Sequence, residues 1–143
     1  MFNFFKKNDS NLDDKKFVFD PELIGCALAY EVAVSDGEID DTELLKIKSE
    51  ILKKSEQLSL NPDEVFKTIE HHNQESVSFN DFINQINDNF LHEQKIQMIE
   101  FLWQTAYADN ALNVDEERLI RRIAGMIRIK DMKVLKLKDQ AKN

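Results

Sequence analysis

Glycine, proline and cysteine are scarce in this chain of 143 residues, at three, two and one copies. So little Gly and Pro leaves few tight turns, which argues for helices over a sheet of short strands. The single Cys26 excludes an internal disulfide and a cysteine-based zinc site, and it fits a reducing compartment. No run of about eighteen apolar residues occurs, and no apolar segment follows the start, so neither a membrane span nor a signal peptide is read. The expected location is cytoplasmic, with peripheral contact at the inner membrane as the variant to consider.

Catalytic patterns are also missing. None of His71, His72 and His92 has Glu three residues before it, so the Glu-x-x-His of di-iron bundles is absent. His92-Glu93 is followed by Gln, Lys and Ile, which is not the His-Glu-x-x-His of metalloproteases. His71 and His72 would point about 100° apart on a helix and read as exposed residues at a helix end. Cys26 lies among Leu23, Ala27 and Tyr30 and reads as packed; Trp103 and Tyr107 read as core aromatics. No Gly-rich phosphate loop exists. The chain is expected to be non-enzymatic.

What is present is a hydrophobic fraction of 42%, enough for a real core in one domain. The net charge of −8 is unevenly spread. Residues 118–143 carry nine Lys or Arg against two Asp, a net of +7, which leaves −15 on residues 1–117. An acidic body repels phosphate, so no nucleic acid is expected as partner. The basic residues 118–142 read as a solvated face, or as a contact for an acidic protein or an anionic membrane surface. Phe2, Phe4 and Phe5 could dip into such a surface but form too short a segment to hold there alone.

One stretch occurs twice. Ala33-Val34-Ser35-Asp36-Gly37-Glu38-Ile39-Asp40-Asp41-Thr42-Glu43 returns as Ala106-Tyr107-Ala108-Asp109-Asn110-Ala111-Leu112-Asn113-Val114-Asp115-Glu116, at a constant offset of 73 residues. Upstream, Leu28, Tyr30 and Ala33 match Phe101, Trp103 and Ala106. Such repetition reads as one supersecondary unit used twice. Gly37 and Asn110 readily take the left-handed conformation that stops a helix. Asp40 and Asn113 are N-caps with Glu43 and Glu116 three residues on, a capping box in each copy. Ile39 and Leu112 pin the turns to the core. Asp36 and Asp109 stand where the helix dipole disfavours a carboxylate, so each needs a partner: a backbone N–H, or a cation shared with Glu38, Asp40 or Glu43.

The remaining pattern gives seven helices. Asp20-Pro21 opens the first, running to about residue 34. The second spans 41 to about 58 on Leu44, Leu45, Ile47, Lys48, Ile51 and Leu52. Asn61-Pro62 starts the third, to about 72. The fourth carries Phe79, Phe82, Ile83, Ile86 and Phe90; the fifth spans 92–108; the sixth runs from 114 to about 127. Asp131 caps a short basic seventh. Residues 1–19 read as a flexible segment before an all-α domain, residues 20–143.

The Ala-x-Ser-Asp-Gly-Glu-Ile-Asp-x-x-Glu stretch at 33–43 resembles the signature of the tellurite-resistance TerB-like family. So does Leu102-Trp103-Gln104-Thr105-Ala106-Tyr107-Ala108-Asp109, with Glu116 and Leu119-Ile120-Arg121-Arg122-Ile123 downstream. The resemblance covers residues 22 to 139. It implies a duplicated all-helical fold whose two acidic turns come together. It also implies a divalent-cation site and a role in bacterial stress responses to metal oxyanions at the cell envelope, with no reaction. Asp36, Glu38, Asp40 and Glu43 match the first motif, and Asp109 and Glu116 the second. Asn110, Ala111 and Asn113 stand where Gly, Glu and Asp are usual, so the second copy is two carboxylates short of a symmetric two-ion site.

With oxygen ligands alone on offer, the expected ion is Ca²⁺ or Mg²⁺. Asp36, Glu38 and Asp40 fill the first, third and fifth places of an EF-hand-like loop, but Asp41 and Ile47 fail its sixth and twelfth. Ligands from both turns would be needed. The alternative reading is a metal-independent helical scaffold that contacts proteins or a membrane surface and uses its acids only as caps.

Overall fold

The computed structural model describes residues 20–35, 37–74 and 80–142. Asp36 and the Phe2–Phe5 segment lie outside the described residues, as does Phe79. Seven helices form among the described residues, and no strand: α1 Pro21–Ala33, α2 Asp41–Leu58, α3 Pro62–Gln74, α4 Asn80–Asn89, α5 His92–Ala106, α6 Val114–Met126 and α7 Asp131–Lys142. The all-α expectation holds, helix for helix.

The local chemistry of the caps explains the boundaries. Asn61 Oδ1 accepts the N–H groups of Asp63 (2.9 Å) and Glu64 (3.2 Å) before α3. Gln94 Oε1 accepts the Leu91 N–H (2.7 Å) at the start of α5. That helix stops two residues short of expectation. The Ala108 N–H turns to Thr105 O (3.0 Å), a tighter bond that closes the last turn.

α1 is the hub. It packs against α2, α3, α4, α5 and α6, and Leu23, Ile24, Cys26, Ala27, Leu28, Ala29, Val32 and Ala33 are all buried. A helix apolar on nearly every side must lie inside the bundle. Small residues let its neighbours approach: a Cβ at Gly25 would stand 3.3 Å from Met98 Cγ of α5. Cys26 is packed as expected, and burial, with the Glu50 charge behind it, pushes its thiol up to about 12. Trp103 of α5 is fully buried beside Ile99, Leu102 and Ala106.

Side chains of α4 and α5 cap the end of α6. Asn87 Nδ2 donates to Met126 O (3.2 Å), while Lys95 Nζ donates to Ile127 O (3.2 Å) and to Asn87 Oδ1 (3.0 Å). A cation at a helix C-terminus is favoured by the dipole and satisfies carbonyls that the helix leaves open.

Two expectations are corrected. His72 is not exposed; it is buried, its ring stacked on Phe82 of α4 at 4.6 Å between centroids. Burial, ahead of the opposing Asp81 charge, lowers its pKa. The stripe expected for α2 mixed two faces. Its inward residues are Glu43, Ile47, Ile51 and Ser55, whereas Leu45 and Leu52 face solvent at 67% and 49% exposure.

Candidate functional site

The two turns of the repeated stretch are built alike. Gly37 at φ 98° and Asn110 at φ 67° both take the left-handed conformation. Their N–H groups donate to carbonyls three residues back, Gly37 to Val34 O (2.9 Å) and Asn110 to Tyr107 O (2.8 Å). Asp40 Oδ2 then caps α2, accepting from Thr42 N (2.8 Å) and Glu43 N (3.3 Å). Asn113 Oδ1 caps α6, accepting from Asp115 N (2.7 Å) and Glu116 N (3.3 Å). Ile39 and Leu112 pack against the core.

Each cap fixes where the next Glu points. Glu43 lies four residues before Ile47, and Glu116 four before Ile120, so both carboxyls head the inward stripe of their helices. Both are buried, at 3% and 4% exposure. The two carboxyls come within reach of one another, so that a proton on one can bridge to the other. Two carboxylates cannot share such a contact, so the pair holds a proton. Burial first, then the hydrogen bond and charge of Glu116, then the charges of Asp109 and Asp40 push Glu43 up to about 9.

The other expected ligands are placed differently. Asp40 is exposed and committed as a cap, and Glu38 is exposed. Asp109 is exposed, and its Oδ1 accepts the Ala111 N–H (3.0 Å); the carboxylate that the dipole disfavours has a backbone partner within its own turn. Asp36 is outside the described residues. Among the described residues no three His, Cys, Asp or Glu side chains gather into a cage. What gathers is the Glu43–Glu116 pair, with Asp40 and Asp109 near enough to act on Glu43 by charge.

The donor set fits a hard cation in part. A divalent ion could replace the shared proton and take one oxygen ligand from each of two halves; Ca²⁺ or Mg²⁺ would need further oxygens, from water or neighbouring groups. Zinc and copper find no nitrogen or sulfur here.

No helix among the described residues is long and apolar enough to cross a membrane. The family model described as Tellurite resistance protein TerB matches residues 22–139. No curated protein and no solved structure matches the chain.

Proposed function

The chain belongs to the tellurite resistance protein TerB family, and on that premise we propose a non-enzymatic helical module, serving a bacterial stress-response system of the tellurite-resistance type, that binds a divalent cation at its paired acidic turns. One observation carries the reading: Glu43 and Glu116, 73 residues apart, are both buried and within reach of one another. Burying two carboxyls against one another is costly, and an apolar pair would pack there without that cost. A site that exchanges a proton for a cation gives the arrangement a use. Glu43 and Glu116 would hold the ion, with Asp40 and Asp109 supplying negative charge around it. The ion itself would supply positive charge between α2 and α6, tying the two turns together. Its effect would then be on the stability and surface of the module, read by a protein or membrane partner.

Proton release tests this. Ion binding displaces the proton that the pair holds at neutral pH, so calorimetry with Ca²⁺ or Mg²⁺ in buffers of different ionisation enthalpy should report about one proton released per ion. Glu43→Gln and Glu116→Gln should each abolish the heat, and Asp109→Asn should weaken it. Binding that releases no proton, or that survives both Gln variants, would place the ion elsewhere.

A further inference from the structure

A cleft of about 370 Å³ opens where α1 and α2 meet the corner between α4 and α5. Its apolar lining comes from Gly25 and Cys26 of α1, Phe90 of the corner, and Met98 and Phe101 of α5. Gly25 helps to keep it open, since a Cβ there would stand 3.3 Å from Met98 Cγ. At about 30 Å³ per heavy atom the cleft has room for a molecule of about a dozen atoms, which puts it at the small end of ligand pockets.

The polar part of the lining selects the ligand. Glu50 and Lys54, one turn apart on α2, pair loosely at 3.8 Å, and both are half-buried. Both charges reach the buried Cys26 thiol, Glu50 raising its pKa and Lys54 lowering it, so the pair lies close to the apolar lining. Asn89, Gln94 and Gln97 complete the cleft and are exposed and uncharged. Gln94 Oε1 is taken by the Leu91 N–H (2.7 Å), which leaves its amide N–H groups to donate. One acid and one base cancel, so a simple ion gains little here: a cation also meets Lys54, an anion also meets Glu50, and a metal finds a single carboxylate. A wholly apolar molecule would strip water from Glu50 and Lys54 and offer them nothing in return.

We propose that this cleft binds a free α-amino acid with a large apolar side chain. Its ammonium lies against Glu50, its carboxylate against Lys54 and the Gln94 amide, and its side chain against Phe90, Met98 and Phe101. Such a zwitterion carries adjacent opposite charges of its own. Set head to tail along the Glu50–Lys54 pair, it adds two charge-assisted contacts without adding net charge. Phenylalanine, at about a dozen heavy atoms, matches the space, and the unbranched Met98 thioether can adapt to side chains of different outline. Glu50 lies seven residues beyond Glu43, about 10 Å along α2. The site is therefore separate from the acidic pair and does not rest on the cation reading.

Amide NMR of the full chain, titrated with phenylalanine, leucine and methionine, tests the proposal. Saturable shifts should concentrate at Gly25, Glu50, Gln97 and Phe101, and glycine, with no side chain to seat, should leave those amides unmoved. N-acetylphenylalanine, which lacks the ammonium, and phenylalaninamide, which lacks the carboxylate, should each bind about fivefold more weakly than phenylalanine. Glu50→Gln should weaken phenylalanine by a similar factor yet bind N-acetylphenylalanine as wild type does, because the contact it removes is already missing. Lys54→Gln should behave likewise toward phenylalaninamide. Both substitutions lie outside the packed core, so neither should unfold the chain. Shifts centred away from the cleft, the same shifts with glycine, blocked forms that bind as tightly as phenylalanine, or no saturable shift at millimolar ligand would each overturn the assignment.

Discussion

Raising the pH through the range between the ordinary carboxyl value of 4.5 and about 9 should progressively destabilise this protein, and Glu43→Gln should remove most of that loss. Glu43 binds its proton more tightly in the folded chain than in the unfolded one. Between those two values the native state therefore holds a proton that the unfolded state has released, and stability falls as pH rises. The contribution is fully present below 4.5 and is gone once the pH passes about 9. Each tenfold gain in proton affinity is worth about 1.4 kcal/mol, and solvent around the exposed Asp40 and Asp109 screens part of it, which leaves a few kcal/mol over the whole range. His72 acts in the opposite direction at the acid end, where its lowered pKa removes stability as it protonates. The difference between wild type and Glu43→Gln separates the two. The Gln side chain keeps the shape and offers an N–H to Glu116 at every pH. It should match wild type near pH 4.5 and exceed it above pH 9. Urea midpoints across the range provide the check, and parallel curves for the two proteins would refute the shared proton.

Trp103→Ala should cost about 3–5 kcal/mol, a large part of the total stability of a domain this size. Trp103 is fully buried, among the largest side chains in the core. Its counterpart 73 residues earlier, Tyr30, is half-buried and meets Phe66 edge-on at 5.7 Å, so Tyr30→Ala should cost distinctly less. Trp103→Phe should also be milder. It keeps a buried ring and deletes an indole N–H that finds no acceptor among the described residues. Chemical denaturation of the three variants orders the costs, and a Trp103→Ala loss no greater than that of Tyr30→Ala would show the core is not centred there.

Local rules made most of the fold legible in the sequence. Asp40, Asn61 and Asn113 cap the helices they precede, and Gly37 and Asn110 take the left-handed turn, because these choices depend on a few neighbouring residues. Facing was harder. Val65, Ile69 and His72 follow one helical stripe, yet the adjacent His71 obscured which histidine turns inward; Phe82 of α4 settles it. Leu45 and Leu52 looked like core by residue type, but their phase differs from that of Ile47 and Ile51. The same phase was the available signal for the site. Glu43 and Glu116 stand four residues before Ile47 and Ile120, which puts both acids on the buried stripe. Their capping-box spacing pointed to the backbone instead. That they come within reach of each other is a tertiary fact, set by how α2 and α6 pack around α1, and no local pattern encodes it.

The most direct test is the titration of the Glu43 side-chain carboxyl itself, followed by carbon NMR in metal-free protein with Glu116→Gln as the assignment partner. A midpoint near 9, moving down toward the ordinary range when Glu116 is replaced, is what a proton shared between the two turns requires. A midpoint near 4.5 would mean that the two acids ionise independently and that no proton stands where the cation is proposed to bind.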